Sequence, residues 1–278
     1  AKQQYRADRD WSEPIFAKRV VANFAVDPHL VFVAPELRGK ATRFLPFNQG
    51  SEGPGNSGGK GNPAPAPGKY ATSYLWEEVW QSDNWLDMLE RFVHLHREKG
   101  PSGRSTRKLI FPRYHQWDAV RKLTAHAARH GAGRNYLVMH SAGSGKSNTI
   151  AWLAHRLTSL HTPTDPAELA PGAAERGVKP GEPVFDKTII ITDRTNLDGQ
   201  LRETVGSFEQ THGLVMKIDG SDGSKSSQLA QALSSASGKI VTVTLQTFPA
   251  LVDYLQANPV EIQGRRFAVI VDEAHSSQ

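Results

Sequence analysis

Four short apolar runs in the second half of the chain leave little choice of fold. They are "KTIIITD", "LVMKID", "KIVTVTL" and "FAVIVDE", opening at Lys187, Leu214, Lys239 and Phe267. Each has the length of one strand and is built largely of successive apolar or β-branched residues. Between them lie "NLDGQLRETVGSF", "SQLAQALSS" and "FPALVDYL", which carry the spacing of helices. Strands that read as continuous apolar runs, separated by helical stretches, are the pattern of a parallel sheet buried on both faces by right-handed crossovers. The expected fold class is α/β.

A fifth apolar run, "NYLVMHS" from Asn135, predicts a further buried strand. It follows a helix marked by Tyr114, Trp117, Val120 and Leu123, and leads through "AGSGKS" into the helical stretch "SNTIAWLAHRLTSL". A glycine-rich turn in that setting lets backbone N–H groups close round a phosphate at the positive end of a helix. The phosphate-loop pattern G-x-x-x-x-G-K-[ST] assigns Gly143, Ser144 and Gly145 to the cradle, Lys146 to the terminal phosphates and Ser147 to magnesium. The sequence departs from the pattern at one place, where His140 stands at the first glycine position.

The last apolar run ends on Asp272 and Glu273. Ligands of an open parallel sheet gather at the carboxyl ends of its strands, so both acids should face the phosphate loop. That placement suits phosphoryl transfer, which depends on positioning and electrostatics: Asp272 would hold Mg²⁺ and Glu273 would orient the attacking water.

The first part of the chain has a different texture. From Val20 to Phe47, short β-rich runs broken at Asp27-Pro28 and Arg38-Gly39 predict an antiparallel meander. Residues 48–73 are dense in Gly, Pro, Ser and Ala and predict a flexible loop. Trp85, Leu86, Leu89, Phe92 and Val93 predict a helix over residues 83–97 with Asp83 as its N-cap. The domains expected are 1–47, a connecting 48–108, and 109–278.

The chain has 278 residues, no cysteine, and a formal net charge of +5. The length suffices for one large or two ordinary domains. The missing cysteines exclude disulfides and thiolate chemistry and agree with a reducing, cytoplasmic setting. The mild positive charge suits a polyanionic partner. With no apolar run of spanning length and a charged opening, neither a membrane span nor a secretory signal is expected. The first residue is Ala1, which suggests a segment of a longer protein.

"HSAGSGKS", "ITDRTNLDGQL", "VTVTLQTF" and "VIVDEAHSSQ", in this order, resemble the first RecA-like lobe of superfamily 2 helicases and translocases, and more narrowly the R subunit of type I restriction-modification enzymes. The upstream "FLPFNQG", "GNP" and "YATSYLWEEVWQSDNWLDMLERFVHL" resemble the same subunit where its nuclease domain joins its motor. The resemblance implies a RecA-like P-loop sheet with flanking helices, preceded by a small β-rich remnant of a nuclease domain. It implies ATP and Mg²⁺ as cofactors. It assigns Gln116 to the adenine edge, Arg194, Thr244 and Gln246 to the DNA backbone, and His275 to coupling between nucleotide and DNA. The implied partners are duplex DNA and the methyltransferase and specificity subunits of a type I complex.

The same resemblance implies that the nuclease carboxylates precede residue 1, and that a second lobe with an arginine finger, worth about 10³ to 10⁵ in rate, follows residue 278. Within the chain, Asp27 and Glu36 are the alternative nuclease pair, but Arg38 stands where that motif has lysine. Two further readings stay open on the sequence. One is a superfamily 2 DNA or RNA helicase with an unrelated N-terminal domain, and the other a non-catalytic nucleotide-binding fragment.

Overall fold

A computed structural model of the chain describes residues 1–99, 105–141, 143–192, 201, 203–208, 213–218, 225–235, 237–257 and 263–273. The chain divides into two compact units, Ala1–Ala119 and Val120–Gln278.

In the first unit, β1 (Asn23–Val26), β2 (Val31–Ala34) and β3 (Leu45–Pro46) form the expected antiparallel meander in the order β1-β2-β3. The β1–β2 turn is held by Asp27, whose Oδ1 accepts from the amides of His29 and Leu30, both at 2.9 Å. Phe24 projects from β1 into an aromatic cluster, with ring centroids 5.3 Å from Trp80, 5.9 Å from Phe47 and 6.0 Å from Phe111. Edge-to-face pairs of this kind add about 0.5–1.5 kcal/mol each beyond the area they bury.

Residues 48–73, expected to be flexible, are held in a series of turns. Apolar burial does not order this segment; polar side chains do. The Asn48 Oδ1 accepts from the Val31 amide at 2.8 Å and from Asn62 Nδ2 at 3.0 Å, and the Asn62 Oδ1 accepts from the Gln49 amide at 2.8 Å. Gly50 and Gly61, both in the left-handed region, close the loop by an N–H···O bond of 2.8 Å. Composition alone hides such a network, because asparagine supplies in one side chain both the donor and the acceptor a loop needs.

The helix expected over 83–97 is shorter. α1 runs Ser82–Arg91 with Gln81, not Asp83, at the N-cap. The chain then turns into β4 (His94–Lys99), which pairs antiparallel with β5 (Ser105–Ile110) in a separate two-stranded sheet. Phe92 and Val93 extend the helical pattern by sequence, but alternation over "HLHREK" suits a strand once β5 offers a partner. The unit boundary falls within α2 (Tyr114–His130).

The second unit contains the expected parallel sheet: β6 (Lys187–Thr192), β7 (Val215–Lys217), β8 (Ile240–Thr244) and β9 (Phe267–Val271), in the order β7-β8-β6-β9. The helices are α3 (Lys146–Thr158), α4 (Lys225–Ser234) and α5 (Phe248–Ala257). The two-residue period of the strands decides which helix each residue meets. Ile189, Ile191, Val241 and Val243 pack against Leu229, Ala232 and Leu233 of α4 on one face. Ile190 and Ile240 pack against Ala151 and Ala154 of α3 on the other, together with Leu201 and Val205. Each fully buried isoleucine contributes about 1.5–3 kcal/mol.

One expected strand is not formed. Residues 135–141 form no strand, and Leu137 and Met139 are 80% and 78% exposed. β9 is one of the two edge strands of this sheet among the described residues, and Val269 and Val271 on it are also exposed. An apolar run becomes a strand only where a ladder accepts its backbone groups.

Candidate active site

The site is assembled at the carboxyl end of the sheet in the second unit, where α3 begins. Gly143 and Gly145 have φ of +71° and +86°, a left-handed conformation that costs an L-residue about 1–2 kcal/mol. Gly145 is the N-cap of α3, and its carbonyl accepts from Asn148 N at 3.1 Å. Lys146 and Ser147, at the first two helical positions, present amides that no intrahelical carbonyl reaches. A Cβ built on Gly143 meets nothing within 4 Å, so the turn leaves open space where a bound anion would lie.

Lys146 Nζ donates to Glu273 Oε1. Two groups separated by 127 residues are thereby brought together, as the sequence led us to expect. Glu273 has φ of +54°, the single non-glycine residue in the left-handed region among the described residues. Such strain, about 1–3 kcal/mol, points a carboxylate at the phosphate loop just where β9 ends. Nothing in the sequence signals it.

Asp272 is anchored by its amide, which donates to Ile191 O at 2.9 Å and so fixes the end of β9 to β6. Burial, then the adjacent Glu273 carboxylate, push its carboxyl above the usual aspartate range, and Lys146 offsets this only in part. His140, at the position of the missing glycine, is held below the ordinary imidazole range by burial and by Lys146, and is therefore neutral at pH 7. Sequence inspection flags His140 only as a departure from the motif; the structure brings it close enough to Lys146 to feel its charge.

A cavity of about 800 Å³ opens beside these groups. Lys146, Asp272 and Glu273 line its polar end, and Ile150, Leu153 and Val269 its apolar part. The expected cofactors, ATP and Mg²⁺, call for oxygen donors and a phosphate cradle. Ser147 and Asp272 are hard ligands of the kind Mg²⁺ takes, and the open turn at Gly143 suits a phosphate.

The remaining expected residues lie elsewhere. Gln116 belongs to the first unit, where it is 3% exposed and its Oε1 accepts from the Arg113 amide at 2.9 Å, closing the first turn of α2. Thr244 ends β8 with its hydroxyl 3.1 Å from that of Thr247, and is buried, while Gln246 is exposed. Arg194 and His275 lie outside the described residues. Of the alternative nuclease pair, Asp27 holds its turn and Glu36 pairs with Arg38 at 2.7 Å. Both acids are occupied in local structure.

Residues 109–278 match the family described as "Type III restriction enzyme, res subunit". The chain belongs to this family. The matched stretch of this res-family chain runs from the end of β5 through the phosphate loop to the acid pair. The chain is also 27% identical, over 213 residues, to the "Type I restriction enzyme HindI endonuclease subunit" of Haemophilus influenzae. That alignment covers 73% of this chain and 17% of the relative, so the res-family chain spans about a sixth of that protein's length. One name is of a type III enzyme and the other of a type I enzyme, and both are restriction enzymes. The R-subunit-like, superfamily 2 helicase-like character read from "HSAGSGKS" and "VIVDEAHSSQ" stands on both. Among the described residues no helix is long and apolar enough to cross a membrane.

Proposed function

We propose that this res-family chain is part of the ATP-dependent, DNA-translocating endonuclease subunit of a type I restriction-modification enzyme. The observation that carries the reading is the contact of Lys146 with Glu273 across the mouth of the cavity. It joins the phosphate-gripping cation to the water-orienting carboxylate.

Each residue then has a task. Gly143, Ser144 and Gly145 wrap the phosphates with backbone amides, and the N-terminus of α3 adds its partial positive charge. Lys146 holds the terminal phosphates, leaving Glu273 to accept a hydrogen bond from the attacking water. Ser147 and Asp272 hold Mg²⁺, which when bound neutralises charge on the phosphate oxygens. Gln116 keeps the adenine-edge role that the resemblance gives it. Arg194, Thr244 and Gln246 steady the DNA backbone, contacts that position without reading sequence. Methyltransferase and specificity subunits, in this reading, anchor the complex on duplex DNA.

The test is ATP hydrolysis by the full-length protein with its partner subunits, with and without duplex DNA. DNA-stimulated turnover with cleavage, both lost in Glu273→Gln, is the expected result. Strand separation without cleavage would favour a superfamily 2 helicase, and no turnover at all a non-catalytic nucleotide-binding module.

A further inference from the structure

Between Asp118 and Asp165 the sequence has no acidic residue, yet it holds Arg121, Lys122, Arg129, Arg134, Lys146 and Arg156. These six of the 33 lysines and arginines more than account for the formal charge of +5, since outside the stretch 27 cations face 28 anions. Lys146 belongs to the phosphate loop, and Arg121, Lys122 and Arg156 are engaged within the chain. Arg129 and Arg134 are left, and both are exposed. His126, Arg129 and His130 share one face of α2 by their spacing, and the two imidazoles stack with centroids 3.7 Å apart. Arg176 joins them from another loop, its Nη2 donating to His130 O at 3.4 Å. Partial desolvation, then the charges of His130, Arg134 and Arg129, hold His126 below the ordinary imidazole range, and no carboxylate offsets them. Cations at the end of a helix ordinarily serve its free carbonyls. Here other groups serve them: Ala127 O accepts from the Gly131 amide, Arg129 O from the Ala170 amide and His126 O from His130 Nδ1, each at 2.9 Å. Arg129 spends only its Nε, on Glu168 O at 3.0 Å, and Arg134 makes no hydrogen bond or ion pair among the described residues.

We infer that the carboxyl end of α2, through Arg129 and Arg134 with Arg176 beside them, is a contact for the phosphate backbone of duplex DNA, in addition to the residues already assigned to it. The inference rests on the reading of the chain as part of a DNA-acting enzyme. The unspent donors are guanidinium Nη groups, whose planar fork matches two phosphate oxygens. Their surroundings carry positive charge and no carboxylate partner, so a polyanion relieves a repulsion that an uncharged or basic partner does not. A protein partner fits less well, because charged side chains are depleted at the centre of protein interfaces. Contacts of this kind bind without sequence preference. The helix end thus holds duplex and leaves recognition to other parts of the complex.

The test is a titration of the 278-residue chain and its variants with a short duplex of mixed sequence across a range of salt concentrations. Arg134→Gln, which disturbs no bond among the described residues, should lower the slope of log K against log salt by about 1 in magnitude. Arg129→Gln/Arg134→Gln should lower it by about 2 and weaken binding at 0.1 M salt by roughly tenfold to a hundredfold. Arg38→Gln/Lys69→Gln removes the same charge from ion-paired positions in the first unit and should leave the slope as it is. An unchanged slope in the double variant would overturn the inference, as would an equal loss in the control or a loss confined to single-stranded RNA of equal length. Arg134 also borders the cavity, so Mg·ATP is titrated against Arg134→Gln as well. Unchanged nucleotide affinity is expected; a loss there with no change in the DNA slope would overturn the inference and move Arg134 to the nucleotide site. Lys146→Ala, run in parallel, separates the contact from the motor reading, since it should lose Mg·ATP and keep the DNA slope. If it kept Mg·ATP while the double variant still lost DNA, the motor reading would fail and the contact at the end of α2 would stand.

Discussion

Lys146, the first residue of α3, reaches across to Glu273, two residues beyond the end of β9, and donates to its carboxylate. The phosphate loop and the acid pair are thus held together by a contact with which, on the proposed function, a bound nucleotide competes, because the same amine cannot serve both anions fully. Glu273→Gln removes the competitor. We expect Mg·ATP to bind up to about fivefold more tightly to this variant, the worth of a partly exposed ion pair, while hydrolysis in the full-length protein falls by about 10² or more. Calorimetric titration and steady-state ATPase assays read the two effects separately.

Asp272 carries the opposite tension. Its carboxyl is held above the usual range by burial and by Glu273. A group whose folded pKa is raised lends stability below its unfolded value of 3.8 and loses it as pH rises through the folded value, so at neutral pH the ionised Asp272 works against the fold. Asp272→Asn should therefore raise the Tm of the nucleotide-free chain at pH 7. It should also abolish the gain from ligand, which for the unsubstituted chain is about 2.7 kcal/mol at a hundredfold excess over Kd. Thermal unfolding with and without Mg·ATP measures both.

Gly143 gives a finer test of the cradle. Its φ of +71° makes Gly143→Ala cost about 1–2 kcal/mol in stability, and no clash adds to this because the new Cβ meets nothing within 4 Å. The same Cβ enters the space assigned to phosphate. Nucleotide affinity should therefore fall by more than the stability loss explains, at least about tenfold, equivalent to 1.4 kcal/mol. Urea unfolding and calorimetry on one preparation give the comparison.

At the amino end of the sheet, Lys187 is 2% exposed and its ammonium donates to Ser237 O at 2.7 Å, Gly238 O at 2.8 Å and Ser235 Oγ at 3.3 Å. Arg265 caps the end of α4 in parallel, donating to Leu233 O at 2.8 Å. Lys187→Met removes the donor from two carbonyls and should cost about 1–3 kcal/mol at pH 7. Burial, with Arg265 and Lys239 nearby, lowers the lysine to about 8, against 10.5 in the unfolded chain. Between those values the unfolded state holds the proton and the folded state does not, so this group makes stability rise with pH from about 8 to 10.5. The variant should lack that rise in urea unfolding at pH 7, 9 and 10.

The parallel sheet was legible because β-branched residues, Ile, Val and Thr, run consecutively through "KTIIITD" and "KIVTVTL", a pattern that suits strands buried on both faces. The meander and the Lys146–Glu273 convergence followed from turn residues and motif order. What the sequence hid has a common cause in partners supplied from elsewhere in the chain. "NYLVMHS" has the composition of a strand but does not form one. The 94–99 segment looks helical until β5 pairs with it, and the glycine-rich loop looks loose until Asn48 and Asn62 lock it. The left-handed Glu273 is set by the way β9 ends against the phosphate loop, which no local pattern encodes.

The most direct measurement is a calorimetric titration of the 278-residue chain with Mg·ATP, alongside Lys146→Ala and Asp272→Ala. Saturable binding by the unsubstituted chain, lost in both variants while their folded circular dichroism is retained, is the predicted result. Equal affinity in all three would contradict it, because a triphosphate bound without that amine and that carboxylate is not held where the loop and the acid pair meet.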